Sequence, residues 1–201
     1  MFGIKLFLFS VAWVVIVFLL CRFIAGRPLK IKKRRVILYI TSMAALGVLG
    51  EVTVDTLYKF TFGQPLWLYR LFPIHYGYTS LYSLFEWGVI GFYVYILHNR
   101  LKEKNLLKIY ILAPIMCVEV VLFELAVNGS YKTLFNKYIF YYFPSNLWHL
   151  SSLQVIPIYL VAGFITLGIL EREQRHLRSA LAFSACLAIL LVGTGILINR
   201  L

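Results

Sequence analysis

Apolar residues occur along this chain in six long stretches, separated by short polar or aromatic connections. The stretches cover residues 1–24, 36–60, 79–98 and 109–128, then a fifth that ends at Leu170 and a sixth at 179–198. A helix needs about 20 mostly apolar residues to cross about 30 Å of hydrocarbon, and the stretches are close to that length. The pattern predicts an all-α fold, a polytopic membrane helical bundle of about six transmembrane helices forming a single domain over 1–201.

The overall composition agrees with this pattern. Hydrophobic residues make up 61% of the 201 residues and aromatic residues 17%, and the mean hydropathy is +0.82. Soluble domains contain about 45–50% apolar residues, so this chain is too apolar to be one. We therefore expect an integral membrane protein without a second, soluble domain.

The net charge of +12 is concentrated in the short connections between the apolar stretches. Thirteen of the twenty basic residues lie in three short connections: Arg27, Lys30, Lys32, Lys33, Arg34 and Arg35; Arg100, Lys102, Lys104 and Lys108; Arg172, Arg175 and Arg178. With six spans all three connections lie on one side, and Lys and Arg in short loops mark the cytoplasmic face. We therefore expect membrane lipid as a partner and no nucleic acid. We expect a bacterial cytoplasmic membrane protein with its N- and C-termini outside.

Five carboxyl groups lie within the apolar stretches, namely those of Glu51, Asp55, Glu86, Glu119 and Glu124. Acids are costly at membrane depth, so they usually face a bundle interior and mark a functional path. One interpretation is a polar pocket that binds a cation, passes a proton or protonates a lipophilic substrate. The other is that each acid accepts hydrogen bonds from Tyr, Trp, His or backbone groups, or lies near a helix end.

The two long connections on the opposite side are rich in aromatic residues. The first, 61–78, combines Gly and Pro with interfacial aromatics and fits either a surface loop or a shallow re-entrant lid. Further candidates for solute binding or proton relay are Trp67, Tyr69 and His75, Trp87 on the third helix, and His149 in the second connection.

The order of these elements occurs twice. An outward helix with acids leads to an aromatic connection with Phe-Pro at 72–73 or 143–144, then to an inward helix that opens with two hydroxyl residues, 79–80 or 151–152. This predicts an internal duplication, with repeat 1 at about 36–98, repeat 2 at about 109–170, and flanking helices at 2–24 and 179–198. Transport folds often place the binding site between repeats.

A longer set of residues carries a resemblance to a known family. The set is Gly50-Glu51, Phe62-Gly63, Trp67-x-Tyr69, Pro73 with Gly77, Ser83-Leu84-x-x-Trp87-Gly88 and Val94-Tyr95-x-x-His98. In this order it resembles the core hairpin of the CmpB-type ABC-transporter permease family and related small vertebrate multispan membrane proteins. A fainter second copy covers 119–163 through Glu124, Tyr142, Pro144 and Asn146. Together the copies cover a little over half of the chain. The family often has Asp where this chain has Leu68.

Other chemistries lack their motifs. We predict no metal site, because the His and acidic residues have no recognised ligand spacing, and no cofactor. Three cysteines without a CxxC spacing predict reduced packing residues. The serines have no nucleophile elbow. Without a phosphate-binding GxxxxGK[ST] loop, any ATPase would be a separate subunit.

Three functions remain open. The first is a permease-like protein that binds or moves a small or lipophilic solute at an acidic intramembrane pocket, as a homo-oligomer or with a separate ATPase subunit. The alternatives are an integral membrane enzyme that uses buried carboxylates on a lipid or terpenoid, and a structural subunit of a membrane complex.

Overall fold

The computed structural model describes residues 2–26, 31–103, 109–173 and 177–199. In this part the chain forms six helices: α1 (Phe2–Ala25), α2 (Lys33–Phe62), α3 (Leu81–Glu103), α4 (Ile109–Phe135), α5 (Val155–Glu173) and α6 (Leu177–Ile198). Four of them, α1, α2, α4 and α6, are long and apolar enough to cross a membrane, and α5 contributes a shorter apolar run, Val155–Leu170. The predicted helical fold class is confirmed, and the composition of the helices is compatible with an integral membrane protein.

The helices pack as two hairpins with two flanking helices. Helix α2 packs most extensively on α3 and α4 packs on α5, while α1 lies against α3 and α6 against α2. Near the start of α1, the ring of Phe9 contacts the rings of Tyr131 and Phe135 at the end of α4. At the end of α6, Asn199 bonds the segment that precedes α3. Both ends of the described chain therefore lie at the same end of the bundle as the two aromatic connections.

Four short strands, which the sequence pattern did not predict, fold these connections into the bundle. They are β1 (Trp67–Tyr69), β2 (Pro73–Ile74), β3 (Thr79–Ser80) and β4 (Phe140–Tyr142), and a 3₁₀ turn follows β2 at His75–Gly77. Strand β1 pairs antiparallel with β4, and β2 with β3. The connection 61–78 is partly buried: Leu66, Trp67 and Ile74 are at most 3% exposed, whereas Phe72 and Tyr76 are 51% and 71% exposed.

Helix boundaries follow local backbone chemistry. Helix α2 ends at Phe62 and is capped by Gly63, whose φ of 77° is left-handed and whose N–H donates to the carbonyl of Lys59. Glycine adopts this conformation without a Cβ penalty. Helix α4 runs to Phe135, beyond the predicted end at 128, and Asn136 closes it with a φ of 52° and an N–H bond to the carbonyl of Lys132. Asn adopts this conformation more readily than most other residues that carry a Cβ atom.

The basic end of the bundle lies opposite the strands. The N–H of Lys32 donates to the hydroxyl of Tyr95 at 2.9 Å, and Gly26 at the end of α1 lies close to the Arg100 side chain. Five of the basic residues predicted to lie on the cytoplasmic side are outside the described residues: Arg27, Lys30, Lys104, Lys108 and Arg175.

Candidate functional site

Glu51 lies inside the bundle, where its carboxyl group accepts four hydrogen bonds. One carboxyl oxygen accepts from the Tyr69 hydroxyl at 2.5 Å and from Nε1 of Trp87 at 2.8 Å. The other accepts from Ser83 Oγ at 2.6 Å and from the hydroxyl of Thr79. Hydrogen bonds to an ionised acceptor are about twice as strong as neutral ones, so this set of donors compensates a buried carboxylate. Glu51 is only 7% exposed.

The neighbouring acid, Asp55, holds the strand that carries one of these donors. One of its carboxyl oxygens accepts from the N–H groups of Leu66 at 2.7 Å and Trp67 at 3.2 Å. Asp55 lies one turn after Glu51 on α2. Its bonds to Leu66 and Trp67 therefore hold the connection alongside the helix, and Tyr69 lies next to Glu51. The indole N–H of Trp67 donates to the carbonyl of Tyr78 at 3.0 Å and fixes the other end of the connection.

Glu124 on α4 is held in the same way by the second hairpin. Its carboxyl group accepts from the Tyr142 hydroxyl at 2.9 Å, from Ser151 Oγ at 2.6 Å and from the hydroxyl of Tyr159. One turn later, the side-chain oxygen of Asn128 accepts from the N–H of Ile139 at 3.0 Å. Asn128 therefore occupies the place of Asp55.

A constant offset of 73 residues relates the two hairpins. It joins Glu51 to Glu124, Asp55 to Asn128 and Tyr69 to Tyr142, and it joins the left-handed helix ends at 63 and 136. The pairing of β1 with β4 follows the same offset. Trp67 faces Tyr142, and their counterparts in the other hairpin, Phe140 and Tyr69, also face each other. The left-handed pair 75–76 corresponds to 148–149, so the offset aligns His149 with Tyr76 rather than with His75.

Tyr69 on β1 and Tyr142 on β4 are hydrogen-bond donors to the two glutamates. Burial, and then the charge of Glu51, raises the pKa of Tyr69 well above its usual value. Burial, and then the charge of Glu124, does the same to the pKa of Tyr142. Both phenols therefore stay protonated at neutral pH and donate to their carboxyl groups.

Three acidic residues, Glu51, Glu86 and Glu124, line one cavity of about 70 Å³ between α1, α2, α3 and α4. The remaining walls are apolar or aromatic, with no basic side chain among the described residues there. We call this space the acidic cavity. A second space of about 80 Å³, between α2, α4 and α5, shares Glu51, Trp87 and Val120 with it. Trp87 thus forms part of the wall between the two.

Glu86 differs from the other two acids of the acidic cavity. Within the described residues its carboxyl group makes no hydrogen bond and no ion pair, although it lines the cavity beside two further carboxyl groups. The offset of 73 aligns Glu86 with Tyr159, which fills the corresponding place in the second hairpin and donates to Glu124. Among the acids that line this cavity, Glu86 is thus the one whose carboxyl group has no hydrogen-bond donor in the described part of the chain.

Packing between α2 and α3 sets the position of Trp87. A Cβ atom at Gly47 would lie 2.2 Å from the indole ring, so only glycine leaves room for it. The indole consequently lies over α2 with its N–H on Glu51, four residues further along that helix.

The structure separates the ten residues singled out from the sequence. Around the acidic cavity it brings together Glu51, Tyr69, Glu86, Trp87 and Glu124, while Trp67 lines the second cavity and Asp55 anchors β1. The other three, Glu119, His75 and His149, lie elsewhere.

Glu119 accepts from the Tyr93 hydroxyl at 2.7 Å and lines neither cavity. The Nε2 atom of His75 lies 2.7 Å from the carbonyl oxygen of Leu191 on α6. His149 stacks on the ring of Tyr141 and bonds the carbonyl of Tyr142. These three residues make structural contacts away from the acidic cavity.

Sequence reasoning missed the hydroxyl and phenol groups that bind the two glutamates: Thr79, Ser83, Tyr142, Ser151 and Tyr159. The signal that could have identified Tyr142 is the offset of 73 residues, which matches it to Tyr69. Within the described residues, no three His, Cys, Asp or Glu side chains come together as a metal site.

Comparisons of the chain with protein-family models, with curated proteins and with solved structures found no match.

Proposed function

We propose that this protein is a small permease-like membrane protein that binds a small cationic solute at Glu86 and passes it between the two hairpins. The observation that carries the proposal is the Glu86 carboxyl group, which lines a cavity with Glu51 and Glu124 and has no hydrogen-bond partner within the described residues. Glu51 and Glu124 have three or four donors each. The open acceptor is therefore Glu86.

The sign of the charge supports a cation. Three carboxyl groups line the acidic cavity, and the described lining contains no Lys, Arg or His. Rings of Trp13, Phe85 and Phe123 form part of its walls. Aromatic faces attract cations, by about 0.5–2 kcal/mol for each favourable contact.

The size of the cavities supports a small solute. The two volumes, about 70 and 80 Å³, are about half of the roughly 150 Å³ that accommodates benzene in a protein core. A proton carried on water, or an ion of ammonium size, fits this space.

The proposed path runs from the acidic cavity past Glu51 and Trp87 to the second cavity. Both cavities include these two residues in their walls. In our proposal all six helices span the membrane, with both chain ends on the outer side and the path along the interface between the hairpins. Parallel repeats related by an axis along the membrane normal are a known arrangement in transporters.

Uptake by proteoliposomes tests the proposal. The purified protein is reconstituted into liposomes that enclose a pH-sensitive dye. Radiolabelled methylammonium is added outside, and its uptake and the movement of protons are followed. We expect Glu86→Gln to reduce flux at least tenfold. Glu119→Gln is the matched control, because it changes an acid of similar setting outside both cavities and should retain flux.

Equal flux in wild type and Glu86→Gln, or loss of flux in both variants, would contradict the proposal. Chemical change of a lipid incubated with the protein would instead support the membrane enzyme.

A further inference from the structure

The two internal cavities correspond to each other under the offset of 73 residues that relates the hairpins. Residues of α3 and α4 line the acidic cavity, and their counterparts on α5 and α2 line the second cavity. Such pairs include Val89 and Ala162, Ile90 and Gly163, and Val127 and Val54. Each cavity thus lies between the second helix of one hairpin and the first helix of the other.

One corresponding pair differs in charge. Glu86 lines the acidic cavity, whereas Tyr159 takes its place in the second cavity and donates its hydroxyl proton to Glu124. In its described lining the second cavity has one acidic residue, Glu51. The carboxyl group of Glu51 already accepts four hydrogen bonds, which fill the roughly four acceptor positions of a carboxylate. The second cavity therefore offers a cation no carboxyl oxygen with a vacant acceptor position.

This difference sets a condition on the solute. A cation that left Glu86 for the second cavity would lose its ion-pair partner and would meet walls that include Met43, Leu46 and Met116. A charge in apolar surroundings without a partner is costly, and a group that can lose its charge does so instead. A neutral molecule does not carry this cost. The second cavity thus favours a solute in its uncharged form.

Glu86 is also the base that is open to a solute in the acidic cavity. Its carboxyl group has no hydrogen-bond partner within the described residues. The other titratable side chains that line this cavity each have at least one hydrogen-bond partner in the protein, namely Glu51, Tyr69, Tyr82, Tyr93 and Glu124.

We propose that the solute is a small protonated amine, which gives a proton to Glu86 and enters the second cavity as the neutral base. This inference rests on the proposed function, and it names the class of solute and the form that crosses. An N–H bond of the ammonium group breaks, its electron pair stays on nitrogen, and the proton bonds to a carboxylate oxygen of Glu86. Glu86 then returns the proton to water on the side of entry, and the amine takes a proton from water on the other side.

A comparison of two cations in proteoliposomes tests the inference. Radiolabelled methylammonium can lose a proton, whereas radiolabelled rubidium, an ion close to ammonium in size, cannot. Uptake of each is measured in protein-free liposomes and with the wild type, Glu86→Gln and Glu86→Asp, with a pH-sensitive dye enclosed. Glu119→Gln is again the control, because it alters an acid outside both cavities.

We expect the wild type to take up methylammonium and to raise the internal pH, since a neutral amine binds a proton after it enters. Glu86→Gln should reduce both signals at least tenfold, Glu86→Asp should reduce them less, and Glu119→Gln should retain them. Rubidium uptake should stay at least tenfold below methylammonium uptake.

Comparable uptake of rubidium and methylammonium, with both lost in Glu86→Gln, would overturn the inference and leave the proposed function standing. Methylammonium uptake that is equal in the wild type and Glu86→Gln would contradict the proposed function itself, and the inference with it.

Discussion

Asp55 and Asn128 occupy corresponding positions in the two hairpins, and each accepts a backbone hydrogen bond from the segment that leads into a strand. Asp55 accepts from Leu66 and Trp67, and Asn128 accepts from Ile139. The amide of Asn128 also donates to the carbonyls of Phe140 and Leu150. The shared element is thus the oxygen acceptor, and the charge of Asp55 is not needed for this contact.

This relationship predicts different results for two substitutions of Asp55. Asp55→Asn keeps the oxygen acceptor, so the thermal unfolding temperature in detergent should change little. Asp55→Ala leaves two buried N–H groups without a partner, and each such loss costs about 1–3 kcal/mol. Unfolding at equal temperatures for the two variants would contradict an anchoring role.

Glu51 and Glu86 should respond differently to conversion into glutamine. In Glu51→Gln the amide NH₂ would face two of the four donors, so we expect a loss of about 1–3 kcal/mol in the free energy of unfolding. Glu86→Gln removes no hydrogen bond within the described residues, so stability should stay within about 0.5 kcal/mol of wild type. Denaturant titration of both variants in the same detergent measures the contrast. Equal losses would mean that Glu86 also has a structural role.

The two neighbouring glycines of α2 provide a matched pair. In Gly47→Ala the new Cβ atom would lie 2.2 Å from the Trp87 ring, and overpacking of this kind costs about 1–3 kcal/mol. The displaced indole should lose its bond to Glu51 and shift the tryptophan emission. No atom lies within 4 Å of a Cβ atom at Gly50, so Gly50→Ala should be neutral, or stabilising by up to about 1 kcal/mol from helix propensity.

Helix α6 is expected to secure the 3₁₀ turn at 75–77. A Cβ atom at Gly195 would lie 2.7 Å from the His75 ring and 3.0 Å from Cβ of Ile74, whereas Gly193 has open space. Gly195→Ala should therefore weaken the contact of His75 with the carbonyl of Leu191. Hydrogen–deuterium exchange should become faster at the amides of Tyr76 and Tyr78, and Gly193→Ala should leave these rates as in wild type.

The helices could be predicted from the sequence, because runs of about 20 apolar residues have few other solutions in a membrane. The acids Glu51, Glu86 and Glu124 could be selected for the same reason, since charge is rare in such runs. Their separate roles could not be predicted. Glu119 and Glu124 lie on the same helix, and only the fold of the distant segment 140–159 supplies donors to Glu124 and leaves Glu119 with Tyr93.

The strands were missed because their pairing joins distant parts of the chain. Trp67 and Tyr142 face each other across β1 and β4, and each strand has three residues, too few for an alternating pattern. Aromatic residues at a membrane interface are equally consistent with an unpaired belt. The hydrogen bonds of Asp55 and Asn128 hold these two segments against their helices, and there the segments pair.

The pairing of β1 with β4 has a consequence for synthesis of the protein. The ribosome makes the chain from the N-terminus, so the first hairpin is complete before residues 140–142 have been synthesised. Until then β1 has no interhairpin partner for its main-chain N–H and C=O groups, and such open edges invite association with other chains. Strand β1 therefore stays unpaired until β4 has been synthesised, and the rate of translation sets the length of that interval.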